Sequence, residues 1–143
     1  MKNMAVGFAA LLMLAVNGAI FAEDITGRWL TESKDAYVEI KAHGNIFTGT
    51  IVGSPDGAKS ERANTDSNNP DESLRRRPLV GLPILTDLKR MKSNLWEGGA
   101  IYDPNKSESY DCKVWLEDGV LMLRGYKGMF YRTSEWIRVA TAL

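Results

Sequence analysis

Two short runs hold most of the side chains in this 143-residue chain that could do chemistry. Arg75-Arg76-Arg77 offers three guanidinium groups able to clamp a carboxylate or phosphate in bidentate fashion. Trp96-Glu97-Gly98-Gly99-Ala100-Ile101-Tyr102-Asp103-Pro104 combines aromatic walls with one carboxylate. An enzyme built from these would use Asp103 with Arg75 or Arg77. Other chemistries lack parts. The single histidine, His43, sits beside Gly44-Asn45 at an expected turn, and the single cysteine, Cys112, shares a strand face with Val114 and Leu116. One His and one Cys supply neither a zinc ligand set nor a spare base for Ser-His-Asp catalysis, and a free cysteine on an apolar face behaves as a small buried hydrophobe. No catalytic residue, metal or cofactor is therefore assigned. Asp66, Asn68 and Asp71 superficially suggest a calcium loop, but Pro70 occupies its fifth position and Asp71 its sixth, where the turn needs glycine.

The elements that must position these residues read as strands. From Ile25 onward the chain shows period-two runs cut by turn residues. Trp29 anchors Ile25 to Thr31, and Tyr37 to Ala42 alternates before Gly44-Asn45 turns it into Ile46 to Val52. Leu95 to Tyr102 ends at Asp103-Pro104, and Tyr110 to Leu116 meets Val120 to Tyr126 through Asp118-Gly119, the strongest hairpin signal in the chain. Lys127-Gly128 turns into Met129 to Val139. Seven or eight short strands in meander order predict an all-β fold, a small antiparallel up-and-down barrel, because closure removes exposed edges. Gly98 and Gly99 inside a strand predict a bend or a close approach by another segment.

The segment from Gly53 to Pro83 is the exception, since loops beyond ~15 residues are uncommon in compact domains. Within it, Asn69 as N-cap, Pro70 in the first turn and Glu72 in a capping box predict a two-turn helix ending at Arg75-Arg76-Arg77. On that reading the arginines are a solvated helix end paired to Asp71 and Glu72. From Leu74 the segment gains Leu79, Val80, Leu82, Ile84 and Leu85, so it is expected to fold over one end of the barrel, as lid or as plug.

Lys2, an apolar run from Met4 to Val16, the Asn17-Gly18 break and small residues to Ala22 have the layout of a secretory signal peptide. The run is short of the ~20 residues a membrane span needs. Residues 1–22 are thus expected to be removed, leaving residues 23–143 as one exported, periplasmic domain with no transmembrane anchor. Its formal charge is 17 − 18 = −1, which gives no electrostatic case for nucleic acid.

Four blocks together resemble the bacterial exported family catalogued as domain of unknown function 2147. They are Gly27-x-Trp29; Asp66-x-x-Asn69-Pro70-Asp71 with Leu74-Arg75-x-Arg77-Pro78-Leu79-x-Gly81; Trp96-x-Gly98-Gly99-x-Ile101-Tyr102-Asp103-Pro104; and Leu123-Arg124-Gly125-Tyr126-x-Gly128 with Trp136-x-Arg138. The resemblance implies a lipocalin-like or calycin-like barrel with a pocket for a small, apolar ligand. The chain departs from the family pattern at Asn105-Lys106-Ser107-Glu108-Ser109, where a Gly-Lys turn is usual, and at Ala42-His43, where a cysteine is often found. The first lengthens that hairpin and the second leaves Cys112 without an internal partner.

The aromatic residues would pave either a packed core or a ligand cavity. Trp29 and Trp136 read as core, and the candidate ligand-binding residues are Trp96, Tyr102, Asp103, Arg75, Arg77 and Tyr126. The expected function is a carrier or binding module for a small apolar or amphipathic ligand. The alternatives are an envelope interaction protein with a solid barrel core and the carboxylate-dependent enzyme above.

Overall fold

A computed structural model describes residues 24–55 and 64–140. The expected signal peptide lies outside the described residues. Eight antiparallel strands, each hydrogen-bonded to the next and the last to the first, form a closed barrel. They are β1 (Gly27–Leu30), β2 (Tyr37–His43), β3 (Ile46–Gly53), β4 (Pro83–Lys92), β5 (Leu95–Asp103), β6 (Glu108–Glu117), β7 (Val120–Lys127) and β8 (Phe130–Val139).

The up-and-down order puts the turns after β2, β4 and β6 at one end of the barrel and those after β1, β3, β5 and β7 at the other. The first end is closed by side chains. Trp29, fully buried, donates its indole N–H to the Ile25 carbonyl at 2.9 Å. Arg138 lies 4.3 Å from the Trp29 ring centroid and donates to the carbonyls of Thr26 and Asp24. Trp96 and Phe47 pack edge to face above them, among Leu88, Val114 and Leu121. Desolvated aromatic area of this size dominates the energetics of a small core.

The expected bend at Gly98 and Gly99 is present. Gly98 has a φ of +78°, and its neighbour across β4, Asp87, also has a positive φ of 58°. A Cβ on Gly99 would lie 2.5 Å from the Thr86 carbonyl oxygen, so only glycine lets β4 and β5 approach this closely. This paired irregularity explains why β4 was not legible as an alternating strand: Leu85 and Leu88, three apart, are both buried. Asp118 and Gly119 both adopt positive φ, as a two-residue hairpin turn requires.

The expected two-turn helix is not formed. Only a single turn of 3-10 helix, Glu72–Leu74, occurs, and its cap is Asp71, which accepts from the Ser73 amide, rather than Asn69. Asn69 instead closes its own turn, accepting from the Asp71 amide at 2.9 Å. The helix stops because the chain on either side of it pairs with itself: Thr65 bridges Pro78, Asp66 N–H donates to the Arg77 carbonyl, and Leu79 N–H donates to the Asn64 carbonyl. That small ladder takes the residues a second helical turn would use.

Candidate functional site

Below the open end of the barrel lies a cup of about 1060 Å³. Its floor and lower wall are apolar, made by Trp136, Leu123, Ile101, Ile84 and Ile51, all buried. Strand register explains how one row of side chains builds it. Lys127 pairs with Phe130, Gly125 with Arg132, Leu123 with Ser134 and Leu121 with Trp136. Since paired residues share a face, β7 and β8 send a graded series down into the barrel, charged at the rim and apolar at the base. Gly125 contributes no side chain, which leaves room opposite Arg132.

The rim is polar and largely self-satisfied. Asp35 accepts from Thr31 Oγ1, Ser33 Oγ and Asn105 Nδ2; burial alone would raise its pKa, but these bonds outweigh it and hold the carboxyl below its ordinary range. Glu108 accepts from Lys127 Nζ at 2.7 Å and from Tyr110 Oη at 2.8 Å, which lowers its pKa and raises those of Lys127 and Tyr110. Outside this polar ring, Val80, Met129 and Phe130 are exposed, Met129 at 95%.

The described part of the long loop borders the cup. Asn64, Pro78, Leu79 and Val80 form part of its wall, while Gly81 and Leu82 are tied to Ile51 by backbone hydrogen bonds. A buried carboxylate holds this loop in place. Asp66 is 1% exposed, and it accepts from Tyr102 Oη (2.8 and 2.9 Å), Asn69 Nδ2 (2.9 Å) and Arg77, whose closest contact is 2.7 Å. Burial disfavours its charge, but the bonds from Asn69, Tyr102 and Arg77 prevail and depress its pKa.

The structure thus separates the six residues the sequence nominates. Tyr102 and Asp103 line the cup. Asp103 accepts from the Asn105 amide and so shapes the β5–β6 turn. Trp96 lies in the closed-end core, stacked under Arg90 at 4.8 Å. Tyr126 is on the outer face of β7 beside Tyr131. Arg75 donates to the Asn69 and Pro70 carbonyls with a looser contact to Glu72, and Arg77 is spent on Asp66. Neither arginine lines the cup or meets Asp103.

Asp66, Arg132 and Ser134 are the polar residues that sequence reasoning did not single out as site-forming. Asp66 had a signal, being the one acid in the loop eleven positions before an arginine that could fold back on it. Arg132 and Ser134 had a weaker one, alternation with Trp136 along β8. Cys112 is buried with no partner, and burial, helped by Asp111, pushes its thiol up to about 12. Among the described residues no cluster of His, Cys, Asp or Glu could hold a metal ion.

The family described as an uncharacterized protein conserved in bacteria (DUF2147) matches residues 27–138, the whole barrel except its last residue. The chain belongs to this family. As a DUF2147 protein it is also similar to a solved structure, protein HP1028 from the human pathogen Helicobacter pylori, described as belonging to the lipocalin family. The two share 25% identity over 82% of this chain and 84% of that one, with a TM-score of 0.72. No curated protein matches the chain significantly. The DUF2147 barrel is therefore lipocalin-like in fold, in keeping with its closure by eight antiparallel strands.

Proposed function

We propose that this DUF2147 protein is an exported, periplasmic binding module that holds a small apolar or amphipathic molecule in the cup. The observation that carries the reading is the cup itself: about 1060 Å³ with an apolar floor at one end of a barrel whose other end is filled by side chains. Ligand sites are concave, mostly apolar and fringed by a few placed polar groups, and eight-strand barrels have room for one small ligand. The likeness to a lipocalin and the signal-peptide layout of residues 1–22 support carriage outside the cytoplasm.

Fluorescence titration with the neutral apolar probe N-phenyl-naphthylamine tests the reading. Wild-type protein is expected to bind it saturably. Gly125→Leu, whose new Cβ meets only ordinary contacts at 3.5 Å or beyond, is expected to narrow the cup and weaken probe binding while melting like wild type. Equal probe binding in both proteins would overturn the assignment.

A further inference from the structure

The polar groups facing the cup are unequally satisfied, and the imbalance has a sign. Apart from Glu32, the acids of the cup and its rim are occupied: Asp35 has three side-chain donors, Glu108 has Lys127 and Tyr110, and Asp103 has the Asn105 amide. Arg132 is not. Its guanidinium has one contact among the described residues, to Glu32 at 3.7 Å, and its side chain is 72% exposed. Two residues deeper on the same inward row, Ser134 has no side-chain partner among the described residues. Arg138, on that row at the closed end, shows the alternative: there a guanidinium is stacked on Trp29 and bonded to two carbonyls.

We propose that Arg132, with Ser134 beneath it, is the head-group site of the cup, and that it selects amphiphiles with an anionic head, a carboxylate or phosphate. This rests on the reading of the cup as a ligand site. An arginine fork presents paired N–H donors that match either oxyanion, and Gly125 opposite leaves the approach clear. An alkyl chain hanging below such a head meets Leu123 and Trp136. Glu32 acts as the resident anion. Its other oxygen accepts from the Glu135 amide at 2.9 Å, which keeps it beside Arg132, and an incoming head takes its place.

Displacement of N-phenyl-naphthylamine by dodecanoate, dodecyl phosphate, dodecanol and dodecylammonium separates head from chain. The expected result is that at least one anionic amphiphile binds roughly tenfold or more tighter than dodecanol, the worth of a charged hydrogen-bond pair. Arg132→Gln should erase that margin by weakening the anionic ligand far more than dodecanol, and Arg132→Lys should restore part of it. Glu32→Gln, which keeps an acceptor for the Glu135 amide, should tighten the anionic ligand. An unchanged unfolding transition in Arg132→Gln would show that the fold is intact. Dodecanol binding as tightly as both anions, or an anionic margin surviving in Arg132→Gln, would overturn the head-group assignment while leaving the cup standing. Preference for dodecylammonium would overturn it in favour of the rim acids. Absence of reporter binding altogether would remove the cup reading and this one with it.

Discussion

The two ends of the barrel are built from the same strands and spend their side chains in opposite ways. At the closed end every large group is used: Trp29, Trp96, Phe47 and Leu88 fill the interior, and Arg138 is stacked and hydrogen-bonded across the opening. At the open end the same inward rows leave about 1060 Å³ unfilled, ring it with polar groups, and expose Met129 and Phe130 beyond them. The contrast teaches that stability and recognition have been assigned to different halves of one barrel. Substitutions at the closed end should cost stability, and substitutions in the cup should cost binding.

The largest expected effect is at the closed end. Trp29→Ala removes a fully buried indole, its hydrogen bond and the platform for Arg138, and should cost about 3–5 kcal/mol in denaturant unfolding. A loss under about 1 kcal/mol would mean that this end is not where the fold is held.

Next comes the buried carboxylate that fastens the long loop to β5. Asp66→Ala strands Tyr102, Asn69 and Arg77 together and should cost about 3 kcal/mol, with Arg77's partial exposure keeping it near the lower end for a buried pair. The pH dependence follows from the sign of the shift. Asp66 has a folded pKa below its ordinary 3.8, so its contribution is present above that value and disappears as pH falls through the lower, folded one. Acid titration of stability should therefore be shallower below about pH 4 in Asp66→Asn than in wild type. Parallel acid limbs would show that the carboxylate is not the fastening.

At the waist between the two ends, Gly99→Ala places a Cβ against the Thr86 carbonyl, which is backbone and cannot swing away, and should cost about 1–3 kcal/mol. Unchanged melting would show that β4 and β5 separate freely at this point.

Much of this division was legible in the sequence, and the parts that were not have physical reasons. Alternation at Cys112, Val114 and Leu116 and the Asp118-Gly119 turn specify strands and hairpin directly, because period two and a positive-φ turn are local properties. β4 was hidden because Asp87 and Gly98 kink both strands and break the period that would have announced it. The helix expected over Pro70 to Arg77 with Asn69 as its cap obeyed the local capping rules, yet it lost to a ladder between Thr65 and Pro78 that no local rule contains. For the same reason Trp96 and Tyr102, six apart on one strand, could not be told apart: one is in the closed core and the other beside the cup. Which end of a barrel a residue occupies depends on closure, and closure is a long-range fact.

The smallest stability effect belongs to the cup. Arg132→Gln should leave unfolding within about 0.5 kcal/mol of wild type, since its pairing is long and exposed. A larger loss would mean that the rim is part of the fold's support and that the two ends are less distinct than they look.

The most direct test of the division follows the tryptophan indole N–H resonances during titration with N-phenyl-naphthylamine. The account predicts that the resonance of Trp136, at the floor of the cup, shifts saturably while those of Trp96 and Trp29, in the closed end, stay in place. Saturable movement of Trp96 or Trp29 with Trp136 unmoved, or saturable binding that moves none of the three, would contradict it.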